Sequence, residues 1–232
     1  MGDKFANYPQ LYYNSASVYY RLELSNLILD FDKIIYLDID TIVHKDLTEL
    51  FNIDIGKYYF LGFPALDLTI YQFRGTRNYI SSGVMLINLK KLREVNAPKL
   101  FKDYYMKYGT KKVDEYLINA VFYDKISFLP LIYGIPDFGT GNSFTISPEL
   151  FLNRFKNFTN FTSFDMKNAS KFRAITHNCY EIKKWWNRKY DNLTIIGKQW
   201  LFYAAKSNIF NNICKKYIQF QYYCWKIKNR KI

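Results

Sequence analysis

Hydrophobic residues along this chain come in short runs, each closed by a turn signal, and stretches with apolar residues at three-and-four spacing separate them. That alternation predicts an α/β layer fold, in which apolar strands form a sheet and amphipathic helices cover it. The plainest buried strand is Ile34-Ile35-Tyr36-Leu37, running into Asp38. Tyr58 to Phe63, Val84 to Ile87, Ile126 to Leu129 and a short Ala174 to Thr176 ahead of His177 read the same way. Tyr20 to Leu29, Ala97 to Met106 and Asp114 to Phe122 read as helices. Pro and Gly cluster from Pro130 to Pro148, a stretch expected to be a lid or binding loop without regular structure. Neither an internal repeat nor a linker divides the chain.

Composition sharpens this picture. The chain has 232 residues, 49% hydrophobic and 23% charged, which suits one large domain with a sizeable core and excludes wholesale disorder or a fibrous class. Lys and Arg number 33 against 20 Asp and Glu, a net charge of +13 that points to nucleic acid, an anionic membrane surface or a phosphate-bearing substrate. The distribution narrows the choice. Residues 192–232 carry eight basic groups and no acidic one, so they supply 8 of the +13, together with nine aromatics. Phe210, Ile213, Tyr217, Phe220 and Cys224 recur at helical spacing with lysines between them. This predicts a basic amphipathic helical tail on an anionic bilayer, against the plainer alternative of a helix docked on the domain's own core. No nucleic-acid-binding motif accompanies the charge, so no nucleic-acid partner is expected.

The three cysteines form neither a CxxC pair nor a dense even set, which argues against structural zinc or a disulfide scaffold. No leader peptide and no spanning helix is expected, and a reducing, cytoplasmic setting at the periphery of a membrane is the default. The glycosylation-type triplets at Asn157, Asn160, Asn168 and Asn192 are therefore not expected to be used.

Chemistry concentrates in Tyr36-Leu37-Asp38-Ile39-Asp40, where an apolar strand ends on two carboxylates. In open α/β sheets ligands sit outside the carboxyl ends of strands. Side chains two apart on an extended backbone project the same way, so Asp38 and Asp40 could reach one hard cation. An Asp that merely caps a loop is the structural alternative. Leu37 to Thr41 also reads as the first motif of a haloacid-dehalogenase-type phosphohydrolase, with Asp38 as nucleophile and Asp40 as acid/base. The chain lacks a convincing later acidic pair for that chemistry.

Further segments extend the pattern. YYRL, DKIIYLDIDTIVHKDLTELF, SSGVMLINLKKLRE, DEYLINAVF with DKISFLP after it, and HNCYEIKKWW occur in this order from about Ser15 to Trp186. Together they resemble the retaining GT-A glycosyltransferases of the glycogenin and bacterial lipopolysaccharide galactosyltransferase type, family eight. The resemblance implies a Rossmann-like α/β fold over residues 1–191, followed by the 192–232 tail. It implies transfer of a hexose from a UDP-sugar to a glycan, lipid-linked or lipopolysaccharide-type acceptor. Asp38, Asp40 and His177 are similar to the family's ligands for Mn²⁺ or Mg²⁺, a donor set that suits Mn²⁺ better than Ca²⁺. Arg21 and Lys183 resemble its phosphate-gripping residues, and Ile39, Ser81, Ser82 and Gly83 fall on its nucleotide-sugar contacts. Asp114 and Glu115 match the start of its catalytic helix, while Asn119 and Asp67 correspond to sugar or acceptor contacts.

The chain departs from the family pattern at several positions. Ser81 replaces an Asn, Glu115 a Gln, Tyr180 a Gly and Lys184 a Pro. Glu115 brings a negative charge to the face of the sugar where positive character develops. Tyr180 changes a point where backbone approaches phosphate. The family opens with strand units that hold the nucleotide base, and the chain begins just ahead of YYRL. The expectation is therefore an N-terminally truncated domain with an open sheet edge: a fragment or degenerate gene product, a half completed by a partner chain, or a non-catalytic relative.

Overall fold

The computed structural model describes residues 4–9, 16–39, 41–64, 79–110, 114–134, 152–153, 161–177 and 203. The chain divides into two compact units, Met1–Phe138 with Ile146–Thr176, and Gly139–Thr145 with His177–Ile232. The first unit carries a four-stranded sheet in the order β1 (Lys33–Leu37), β4 (Ile80–Asn88), β3 (Phe60–Pro64), β5 (Ile126–Phe128). β2 (Thr41–Val43) pairs separately with β6 (Ile175–His177).

β4 is antiparallel to both β1 and β3, whereas β3 and β5 run parallel. Its side chains alternate between two cores, as a strand period of two requires. Met85 and Ile87 join Tyr19, Leu22, Phe60, Phe101 and Leu117 on one face of the sheet. Val84 and Leu86 join Leu50, Phe63, Leu129 and Ile175 on the other. With both faces covered, β4 reads as the continuous apolar run Val84–Ile87. Each fully buried side chain of this size contributes roughly 1.5–3 kcal/mol.

The expected strands are all present among the described residues, and the helices need one correction. Tyr20 to Leu29 is not an α-helix: Ala16–Glu23 is a 3-10 helix, followed by a single α-turn, α1 (Leu24–Leu27). The burial pattern agrees with it, because Tyr19 and Leu22, its buried apolar residues, lie three apart, the repeat of a 3-10 helix. α4 (Ala97–Tyr108) and α5 (Asp114–Val121) form where the apolar spacing places them. α4 begins at left-handed Asn96 with Pro98 in its first turn and ends at Gly109, also at positive φ.

Short elements escaped the pattern: β2, α2 (Thr48–Asn52), α3 (Leu89–Glu94) and α6 (Ser163–Phe172). α6 nonetheless carries a readable capping box, Thr162 with Asp165. The Pro130 to Pro148 stretch starts with a 3-10 turn at Leu131–Tyr133, and its residues beyond Gly134 lie outside the described ones. Among the described residues no helix is long and apolar enough to cross a membrane.

The turn after β5 packs tightly on β3. A Cβ placed on Gly134 would sit 2.3 Å from Cδ1 of the buried Phe63 ring. Replacing Gly134 by Ala is therefore expected to lower stability by about 1–3 kcal/mol, read as a shift in the urea midpoint with an unchanged slope.

Candidate active site

Strand register brings the first pieces of the site together. Leu37 pairs with Val84, and one step further the Asp38 N–H donates to the Gly83 carbonyl at 2.8 Å. Antiparallel pairing thus sets the carboxyl end of β1 beside the amino end of β4, and Asp38 beside Ser82-Gly83. The backbone then turns, with the Thr41 N–H and hydroxyl both donating to the Asp38 carbonyl at 3.1 and 2.8 Å. The regular strand ends at Leu37. Ile39, within the turn, is fully exposed at 102%. Asp40 lies outside the described residues.

α5 supplies the second piece. Asn119 is buried, and its amide is committed to backbone: Oδ1 accepts from the Ile80 N–H, and Nδ2 donates to the Ile80 and Glu115 carbonyls, each at 2.8 Å. Here Asn119 clamps α5 to the start of β4. One turn earlier, Glu115 Oε2 accepts from the Ser82 N–H at 3.1 Å. The clamp thereby lays the first turn of α5, with Asp114 and Glu115, against Ser82.

Arg21, on the 3-10 helix, joins the pieces. Its side chain is 9% exposed and all three guanidinium nitrogens are engaged. NH1 donates to the Ser82 carbonyl at 2.7 Å, NH2 meets Asp38 Oδ1 at 2.9 Å, and Nε lies 3.0 Å from Asp114 Oδ2. The last contact is an ion pair outside hydrogen-bond alignment. The guanidinium also sits over the Tyr36 ring, 4.6 Å from its centroid, and the Tyr36 hydroxyl donates to Asp38 Oδ1 at 2.8 Å. Arg21 was expected to grip phosphate; in this structure it bridges two carboxylates.

Electrostatics follow from this packing. Burial disfavours a charged Asp114, the Arg21 guanidinium opposes that, and the nearby Asp38 charge reinforces it, leaving the Asp114 carboxyl raised to about 6. Burial also disfavours charge on Arg21, but Asp114 and Asp38 more than offset it, so the guanidinium holds its proton more tightly than usual. Burial raises the Tyr36 phenol, which keeps it a hydrogen-bond donor. A buried carboxylate held ionised at such cost is typical of functional sites.

The other expected residues are not among those tied together by Arg21. His177 is the last residue of β6 and belongs to the second unit. Asp67, Lys183 and the 192–232 tail, apart from the partly exposed Tyr203, lie outside the described residues. Among the described residues no group of three His, Cys, Asp or Glu side chains is placed to hold a metal ion. The partly exposed Asp38, a hard oxygen donor at a strand end, has the chemistry a Mn²⁺ or Mg²⁺ ion requires. Two polar contacts were not anticipated, one in the site and one linking β2 to β6. Tyr36 was readable, since strand alternation puts it on the side of Asp38. His44, 2.9 Å through Nε2 from the Thr176 hydroxyl, links the segments of β2 and β6, a non-local pairing that no local pattern announces.

A mixed sheet covered on both faces, with acidic and basic side chains gathered at the end of one strand, defines the α/β fold of GT-A glycosyltransferases. The fold matches the galactosyltransferase LgtC, in a crystal structure with donor and acceptor sugar analogs, at a TM-score of 0.65 and 23% identity over 90% of this chain and 74% of LgtC. It also matches the apo structure of the bifunctional glycosyltransferase WbbM, with a TM-score of 0.56 and 25% identity over 74% of this chain and 33% of WbbM. Residues 3–142 match the model of glycosyl transferase family 8, and the chain belongs to that family. A Haemophilus influenzae protein, named as a candidate glycosyltransferase, is 32% identical over an alignment of 135 positions that covers 54% of this chain. The match spans 41% of that relative's length.

The Asp114 carboxyl makes a testable contribution to stability. Its folded pKa of about 6 exceeds the ordinary 3.8, so the folded state binds the proton more tightly. Stability from this group is therefore full below pH 4 and is lost as pH rises towards and through 6. The loss is roughly 3 kcal/mol at about 1.4 kcal/mol per tenfold change in proton affinity. Asp114→Asn, neutral throughout, lacks this loss. Denaturation of the metal-free protein at a series of pH values is expected to show the wild type falling relative to the variant over that window.

Proposed function

We propose that this chain is a metal-dependent, retaining hexosyltransferase that moves a hexose from a UDP-sugar to a glycan or lipopolysaccharide-type acceptor. The observation that carries the reading is the single guanidinium of Arg21 tying together Asp38, Ser82 and Asp114 from three family motifs. Asp38, Asp40 and His177 are assigned to a Mn²⁺ or Mg²⁺ ion. Held there, such an ion would supply the positive charge that a departing diphosphate requires.

The chain's own residues complete the assignment. Arg21 keeps Asp38 and Asp114 charged side by side, which the two carboxylates alone would resist. Ser81, Ser82, Gly83 and Ile39 line the donor, Asp67 contacts the sugar or acceptor, and Lys183 meets the phosphates. Asp114 and Glu115 are assigned to the side of the site that takes the transferred sugar, where negative charge stabilises developing positive charge. The phosphohydrolase alternative gains no support, because Asp38 Oδ1 already accepts from both Arg21 and Tyr36. The basic aromatic 192–232 segment is assigned to an anionic membrane surface, which keeps the enzyme near a lipid-linked acceptor.

Release of UDP from a panel of UDP-hexoses tests the proposal. Turnover is expected with Mn²⁺, to be abolished by chelator, and to fall about 100-fold or more in Asp38→Asn. A folded protein that neither turns over nor binds any UDP-sugar in Mn²⁺ would support a non-catalytic relative instead.

A further inference from the structure

We propose that Tyr36 is a positioning residue that fixes Asp38 for its cation; the inference rests on the metal-dependent reading above. Two contacts from one side chain carry it. The Tyr36 hydroxyl donates to Asp38 Oδ1 at 2.8 Å, and the Tyr36 ring lies under the Arg21 guanidinium, 4.6 Å from centroid to Cζ. Asp38 Oδ1 therefore receives two donors, the phenol and Arg21 NH2 at 2.9 Å.

A carboxylate at the end of a strand can rotate about its terminal bond, and one donor leaves it a hinge. Two donors from different directions on the same oxygen set the carboxylate plane before any cation arrives. The ring adds a second constraint, because it holds Arg21 in place over the strand that carries Asp38. Strand alternation makes the device possible, since positions 36 and 38 project to the same side and Leu37 points into the opposite core. Outer hydrogen-bond partners of this kind commonly govern metal affinity by about 10- to 100-fold.

Tyr36→Phe keeps the ring over Arg21 and removes only the hydroxyl. Manganese binding in the presence of UDP, read from the free-ion electron paramagnetic resonance signal, is expected to weaken by about 10-fold or more. The Mn²⁺ concentration for half-maximal turnover should rise by the same factor, and saturating Mn²⁺ should restore most of kcat. General loosening of the fold would not be rescued in this way. Equal Mn²⁺ affinity in wild type and variant overturns the role of Tyr36 alone. Absence of Mn²⁺ binding in the wild type overturns the metal-dependent reading, and this inference with it. A variant that no longer folds, judged from its amide NMR spectrum, also overturns it by making the hydroxyl's task structural.

Discussion

One buried cation organises the site. Arg21 is almost removed from water and lies between two carboxylates that come from distant parts of the chain. Without the guanidinium, Asp38 and Asp114 would repel each other in a poorly solvated setting, and one would take up a proton. With it, Asp114 carries charge at neutral pH despite its burial, at an energetic cost visible in its raised pKa. Removing one member of a buried set like this commonly costs about 3–5 kcal/mol, because it strands the rest.

The sheet and α5 bring the carboxylates within reach of Arg21. Antiparallel pairing of β1 with β4 places Asp38 against Ser82-Gly83, and the Asn119 amide locks α5 to Ile80 two residues before Ser82. A slip of one residue in the β1–β4 register would turn Asp38 to the opposite face and away from Arg21. The two cores on either side of the sheet guard against that slip, since Ile34 and Tyr36 would exchange places with Ile35 and Leu37.

Much of this arrangement is legible in the residues themselves. Ile34 to Leu37 and Val84 to Ile87 announce buried strands, and Asp114 opens a helix where its motif says it should. Periodicity fails where its assumption fails. The 3-10 helix carrying Arg21 repeats every three residues, and a short apolar window cannot separate that from 3.6. The turn at Asp38–Thr41 depends on a threonine hydroxyl folding back onto a carbonyl, a local bond that strand alternation ignores. The assignment of Arg21 to phosphate followed from motif position. Its engagement with three acceptors belongs to tertiary geometry, which brings residues 21, 38, 82 and 114 to one point.

The central claim is that Arg21 couples the two carboxylates, and the titration of Asp114 reports on it most directly. Carboxyl carbon NMR of the metal-free protein should place the Asp114 midpoint at about 6 in the wild type and move it upward in Arg21→Gln, because the guanidinium is the main influence holding it down. An Asp114 midpoint that stays the same in both proteins, with the fold intact, would contradict the account.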